Sequence, residues 1–236
     1  MEKKLEELKV YNESIRFIKK DENLTDKIPI VWKKLLEEDN PNIRVKIILE
    51  FWKEKIYPEL SNTIEYLEKN LKDVEVTAHL NLGINRKEKY YLLYTIENKE
   101  GETCYYEGGN VFQLEIEENL KKRWEDIPVK IRKFYEEVHN GFYEYYSGSM
   151  GLEEADHITY FEYYDWGIID DLEEKLQISL RDTFGFFKSG AGGYVAVDLA
   201  NCNEGIGTVW FSASQPEYNI KFWDVVDEWI VIGFDN

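Results

Sequence analysis

The pattern of apolar positions changes once along the chain, from a helical period to an alternating one. Up to residue 72 the apolar residues recur at helical spacing in a charged background, which predicts a series of helices. Pro29, Pro41 and Pro58 divide this region, because proline suits the start of a helix and interrupts its interior. The helical stripes are Leu5, Leu8, Ile15 and Ile18; Trp32, Leu35 and Leu36; Ile43, Ile47, Ile48, Phe51 and Trp52; and Leu60, Ile64, Leu67 and Leu71.

Alternation of apolar and polar residues follows and predicts β-strands. It covers residues 74–80, 90–96 and 111–116, with Gly- and Asn-containing turns between them. We therefore predict a β-meander of three or four strands after the helices.

The second half mixes both periods. The pattern predicts helices over 117–125, over 128–139 and, as a short element, over 171–176. Residues 194–199 and 206–211 predict a hairpin, and the apolar stripe from Phe222 to Ile230 predicts a closing helix. The sequence thus indicates an α+β protein. Its regions are a helical and meander region over 1–115 and a second domain over 116–236, with the seam near 112–117.

Composition is typical of a folded chain. The 236 residues are 43% hydrophobic and 15% aromatic, too rich in core-forming side chains for a disordered protein. No apolar run approaches the roughly 18–20 residues that a membrane helix needs. The charged start, Met1-Glu2-Lys3-Lys4, lacks the apolar stretch of a signal peptide, and only Cys104 and Cys202 are present. We expect a cytoplasmic protein that has no membrane interaction.

Charge is strongly acidic and uneven. The net charge is −18; residues 1–115 contain 19 basic and 23 acidic side chains, whereas residues 134–236 contain 4 basic and 20 acidic ones, a net charge of −16. Such a field repels nucleic acid, so we expect no nucleic-acid partner. Two interpretations stay open: general solubility, or a surface that attracts a basic protein partner.

Catalytic motifs are scarce. The chain has no His-Glu-x-x-His, no phosphate-binding Gly-x-x-x-x-Gly-Lys and no Gly-x-Ser-x-Gly. His79, His139 and His157 are dispersed and are interpreted as surface or helix-end residues, and the glycines of 190–193 as a turn that enters a strand. The sequence therefore predicts a protein that is not an enzyme and that binds neither a metal nor another cofactor.

Acidic clusters are the main chemical signal. They are compatible with paired carboxylates of a hydrolase, with ligands of a hard cation, or with solvated helix starts, as at residues 171–174. The clusters are Glu153-Glu154-x-Asp156, Asp170-Asp171-x-Glu173-Glu174 and Asp224-x-x-Asp227-Glu228.

An ordered series of short motifs covers residues 116–236. It consists of Pro128 with a short amphipathic segment up to His139-Asn140-Gly141-Phe142, Gly151-Leu152 with Ile158, a glycine-led strand from Phe187 to Asp198, Val209-Trp210, and a final helix containing Phe222 and Trp229. This order resembles the SUKH superfamily, named partly for yeast cell-wall assembly regulators. Gly193 stands where the family often has an acidic residue, so the chain departs from the family pattern at that position.

The resemblance implies a small, mostly antiparallel sheet packed by helices and a non-enzymatic, protein-binding role. In bacteria, members are commonly immunity proteins that neutralise a polymorphic toxin, often a nuclease or another nucleic-acid-modifying enzyme. We therefore expect an immunity protein whose partner is a cognate toxin with a basic surface. The alternatives are a regulatory interaction module of the same fold and a hydrolase that uses a carboxylate pair.

The expected partner-binding residues lie in the two stretches that are richest in both acidic and aromatic residues. Trp166 is predicted as an exposed aromatic anchor, because a few large aromatics surrounded by polar contacts dominate many interfaces. The predicted set is Asp165, Trp166, Asp170, Asp171, Asp224, Asp227 and Glu228.

Overall fold

The computed structural model describes residues 2–80, 87–202 and 205–235. Within these ranges, helices and one large antiparallel sheet form a mixed α+β protein, which confirms the predicted class. The helices are α1 (Glu2–Lys9), α2 (Ile30–Glu37), α3 (Pro41–Ile56), α4 (Ser61–Asn70), α5 (Glu118–Lys121), α6 (Val129–Lys133) and α7 (Phe222–Phe234). The strands are β1 (Arg16–Phe17), β2 (Leu71–Leu80), β3 (Glu88–Glu97), β4 (Thr103–Gly109), β5 (Phe142–Glu144), β6 (Met150–Leu152), β7 (Thr159–Tyr160), β8 (Thr183–Ser189), β9 (Gly193–Asp198), β10 (Ile206–Phe211) and β11 (Glu217–Lys221).

The sheet runs through both halves of the chain. Its order is β1-β2-β3-β4-β5-β6-β8-β9-β10-β11, with β7 paired to β8. The first and second halves meet at β4 and β5, where Glu107 lies opposite Tyr143 and Gly108 opposite Phe142. The expectation of a small sheet was therefore wrong in size, because strands of the two halves join edge to edge.

The seam predicted at 112–117 lies just after β4. The main core also contains side chains from both sides of it: the rings of Trp52 and Phe142 have centroids 5.1 Å apart. The division into 1–115 and 116–236 stays a prediction about independent folding, which a fragment can test.

Several elements lie where the period predicts them. The β9–β10 hairpin and the closing helix α7 are confirmed, and the predicted helix over 128–139 forms as α6, continued by a π-helical turn at Phe134–Val138. The prediction over 117–125 is confirmed in part, by the single turn α5 and a 3-10 turn at Trp124–Asp126.

Three boundaries differ from the prediction. Residues 111–116 form no strand: the Asn110 side chain accepts a hydrogen bond from the Phe112 amide and starts a 3-10 turn, so that 103–109 is the third strand of the meander. Ile15 and Ile18 do not continue α1 but flank β1, which pairs with β2. Residues 171–176 form no α-helix: the only helical turn at this point is the short 3-10 turn Ile169–Asp171, which ends at Asp171.

The two faces of the sheet are covered differently. One face packs against α2, α3, α4, α6 and α7 and forms the main core. The opposite face carries α1 with the Leu8 cluster over the first half, and an aromatic cluster around Trp210 over the second half. Strand β9 shows the division, because Val195 and Val197 lie in the main core whereas Tyr194 and Ala196 lie in the Trp210 cluster.

His139 lies inside the main core and is fully buried, not at the surface as its position at a helix end suggested. Its Nε2 lies 2.7 Å from the Tyr94 hydroxyl, which accepts a hydrogen bond from Trp52 Nε1. Burial lowers the pKa of His139 to about 3. The glycines of β4 allow this packing, since a Cβ on Gly108 would lie 2.5 Å from His139 Nδ1.

Candidate functional site

The strongest candidate is an exposed segment over residues 161–176, called here the acidic loop. It begins with the 3-10 turn Phe161–Tyr163 directly after β7 and ends before the turn that leads into β8. It covers the Trp210 cluster on the sheet face opposite α7.

Trp166 holds this loop on the sheet. Its ring stacks on Trp210 with centroids 3.8 Å apart and planes within 6°, and its Nε1 donates a 3.0 Å hydrogen bond to the Phe161 carbonyl. Only 3% of the side chain is exposed. The prediction of Trp166 as an exposed anchor was wrong, because the apolar cluster on the second sheet face, which the sequence pattern did not reveal, takes up this indole.

Acidic side chains cover the outside of the loop. Within the described residues none of them forms an ion pair, although Lys175 belongs to the same segment. The exposed carboxylates are Glu162, Asp165, Asp170, Asp171, Glu173 and Glu174.

Acidic residues elsewhere in the second half are mostly neutralised by basic side chains, of which Lys55, Lys89 and Lys99 come from the first half. The pairs are Glu136–Arg132, Glu137–Lys55, Glu153–Lys188, Glu154–Lys89, Asp156–Lys89, Asp182–Arg123, Asp224–Lys221 and Asp235–Lys99. The loop therefore concentrates the uncompensated negative charge that the composition showed only as a regional excess.

Apolar side chains are exposed among these carboxylates. Tyr163 has 77% of its surface exposed and touches Tyr160 edge-on, with centroids 4.8 Å apart. Tyr164 and Ile169 are also exposed. Tyr163 is thus the loop's prominent exposed aromatic, and its neighbourhood of acids was the only sequence signal that pointed to it.

The acidic residues predicted on α7 lie on the other face of the sheet. Phe222, Val226 and Ile230 pack into the main core, which places α7 opposite the acidic loop. Asp224 and Glu228 are exposed there, and Asp224 lies 3.6 Å from Lys221. The structure therefore brings Asp165, Asp170 and Asp171 together in one loop but separates them from the α7 residues.

Asp227 has a structural role. Its carboxylate accepts hydrogen bonds from the amides of Asn62 (2.9 Å) and Thr63 (2.7 Å) and so caps the first turn of α4. Burial raises the pKa of Asp227, and these hydrogen bonds oppose the rise. With only 3% exposure it has no surface to offer a partner, so its predicted place in an interface was wrong.

Buried carboxylates form a second polar group on the sheet face opposite the main core. Glu154 accepts hydrogen bonds from the hydroxyls of Tyr91 and Tyr143 (both 2.8 Å) and from Lys89 (2.8 Å). Glu107 lies 2.8 Å from His79 Nε2, and burial raises its pKa. These acids are held by protein donors.

Ligand atoms of Glu154, Asp156 and His157 lie within 4.8 Å of one another, close enough to hold a cation. However, Lys89 Nζ lies 2.8 Å from Glu154 and 3.1 Å from Asp156, so an ammonium group already supplies positive charge there. The cluster fits an ion pair network, and the absence of a metal stays a prediction.

The comparisons with known proteins give no match for this chain: no family model, no curated protein and no solved structure is significantly similar to it. Among the described residues, no helix has the length and apolar character needed to cross a bilayer.

Proposed function

We propose that this protein works by binding another protein, whose basic surface is drawn to the acidic loop. The observation that carries the proposal is the group of six exposed carboxylates around the exposed Tyr163, which form no ion pairs with any residue that the structure describes. Unpaired charges attract a complementary partner over a longer range than ion-paired charges, and an aromatic side chain among them supplies contact area.

The acidic loop is held in place on the sheet, and this supports a binding role. The stacked pair Trp166–Trp210 fixes the middle of the loop, so less conformational entropy is lost when a partner binds. The charges therefore lie on a surface that is already ordered, rather than on a free tail.

We further propose that the partner is a cognate toxin domain and that the protein is its cytoplasmic immunity protein. This step rests on the resemblance of residues 116–236 to the SUKH superfamily, together with the acidic surface. A protein that acts on nucleic acid usually presents a basic face, which the acidic loop would complement. A regulatory module with another partner is the competing outcome.

Affinity capture from the native cell tests the proposal. The unmodified protein is compared with D165N/D170N/D171N and with a matched control, E6Q/D21N/E115Q, whose acids are also exposed and free of ion pairs within the described residues. We expect the unmodified protein and the control to retain one basic partner, and the loop variant to lose most of it at low salt.

The identity of the captured protein separates the two roles. A secreted toxin encoded beside this gene, whose activity the purified protein inhibits, would support immunity; a partner without toxic activity would favour regulation. Equal capture by the loop variant and the control would contradict the acidic loop as the binding site.

A further inference from the structure

A groove of about 680 Å³ lies on the helix-covered side of the molecule, opposite the acidic loop. Its walls come from the α3–α4 connection, from α6, from the start of β10 and from the start of α7. This volume falls in the range of roughly 300–1,000 Å³ that is typical of small-ligand sites. No residue of the acidic loop lines it, so the groove is a separate feature.

The groove combines an apolar surface with a basic rim. Pro58, Val129, Ile206 and Trp223 contribute apolar surface, and half of Val129 is exposed.

Three lysines line the groove, which is unusual for this chain. Lys130 pairs with Glu59 and Lys221 with Asp224, whereas Lys133 forms no ion pair within the described residues. Among the described residues that line the groove, three are basic and two acidic, whereas the whole chain has 29 basic and 47 acidic residues. Local positive charge beside apolar surface favours an anion that also has an apolar part.

We infer that the groove binds a small organic anion: an apolar body that carries one or two carboxylate, sulfonate or phosphate charges. The apolar body lies against Trp223 and Val129, and the charge lies towards Lys133. This site is independent of partner binding through the acidic loop, so either can fail without the other.

Titration of the full chain with 8-anilinonaphthalene-1-sulfonate, a fused aromatic anion, tests the inference by fluorescence and calorimetry. We expect saturable binding to one site. K133E should weaken it about tenfold by reversing the rim charge, whereas K122E, an exposed lysine outside the groove, should change it less than roughly twofold.

A second variant tests the apolar wall. V129E places a carboxylate on exposed groove surface at the first position of α6, where a negative charge suits the helix start, so the fold should persist. It should abolish binding of the anion, whereas F112E, which alters an exposed apolar residue outside the groove, should not.

The neutral analogue N-phenyl-1-naphthylamine, which has no sulfonate, should bind more weakly than the anion and should be insensitive to K133E. Circular dichroism verifies that each variant is folded. The inference is overturned if the anion shows no saturable binding, if K133E and K122E behave alike, or if the neutral analogue binds as tightly as the anion.

Discussion

The indole rings of Trp166 and Trp210 lie parallel, 3.8 Å apart, and this stack fastens the acidic loop to the sheet. Replacement of Trp166 by Ala leaves a cavity and removes the hydrogen bond to the Phe161 carbonyl. We expect a loss of about 3–5 kcal/mol in the free energy of unfolding, measured by chemical denaturation. Y163A is the matched control: it removes an exposed aromatic from the same loop and should cost less than about 0.5 kcal/mol. A stable W166A variant would contradict the anchoring role.

Neutralisation of the acidic loop should affect association with the partner more than dissociation. In D165N/D170N/D171N the long-range attraction is reduced, so the association rate at low salt should fall and depend less on ionic strength. Stopped-flow or surface-based kinetics at several salt concentrations measure both rates. If association of the unmodified protein does not change with salt, steering is excluded, and the excess negative charge serves only solvation.

Replacement of Tyr163 by Ala should mainly raise the dissociation rate. A well-packed interface aromatic is worth about 2 kcal/mol, equivalent to about thirtyfold in the dissociation constant. F112A, which removes another exposed aromatic far along the chain from the loop, should leave the complex unchanged. Equal dissociation rates for Y163A and the unmodified protein would remove Tyr163 from the interface.

Buried His139 should make the fold sensitive to acid. Its pKa is about 3 in the folded protein, against about 6.5 in the unfolded chain, so between these values the unfolded state binds more protons. The stability that neutral His139 contributes is therefore complete above pH 6.5 and decreases as the pH falls towards 3. The free energy of unfolding should fall by about 2 kcal/mol between pH 7 and 5 for this reason. Tyr94, Trp52 and Phe142 surround the ring and offer no opposing charge.

Denaturation of the unmodified protein and of H139Q across this range measures the effect. H139Q should be less stable at pH 7 because the packing changes, but its stability should decrease less steeply between pH 7 and 5. Parallel curves for the two proteins would show that His139 does not titrate as inferred.

A fragment of residues 116–236 tests the predicted division of the chain. Without β4 the edge of β5 is unpaired, and Phe142 loses its contacts with Trp52 and Tyr94. We expect the fragment to be insoluble or to unfold without cooperativity, as followed by near-ultraviolet circular dichroism. A cooperative transition would instead establish 116–236 as an independent domain.

The apolar and polar pattern correctly predicted those elements whose boundaries are set by residues close in the sequence. The β9–β10 hairpin and α7 were predictable because alternation and a helical stripe end in clear turns. The third strand of the meander was misplaced because Asn110 starts a 3-10 turn in a segment that alternates like a strand. Here a side-chain cap overrides the apolar pattern.

Roles that depend on distant contacts could not be read from the sequence. Asp227 looks like any exposed helix acid, and only the fold shows that it caps α4, more than 160 positions earlier in the chain. Trp166 lies among acidic residues, which suggests an exposed position, but its stacking partner Trp210 lies on β10, more than 40 positions later. The acidic character of residues 161–176 was predictable from composition, because charge density needs no particular geometry.

The contacts of α7 with the first half set an order of events during synthesis. Asp227 caps α4, and Asp235 accepts hydrogen bonds from Lys99 and Tyr66, so elements made early are completed by residues synthesised more than 100 positions later. Chains usually fold from the amino terminus as they leave the ribosome. Here a nascent chain of about 200 residues still has the amides of Asn62 and Thr63 uncapped and the apolar surface that α7 covers open to solvent. Until α7 has emerged from the ribosome, this exposed apolar surface makes the nascent chain prone to aggregation.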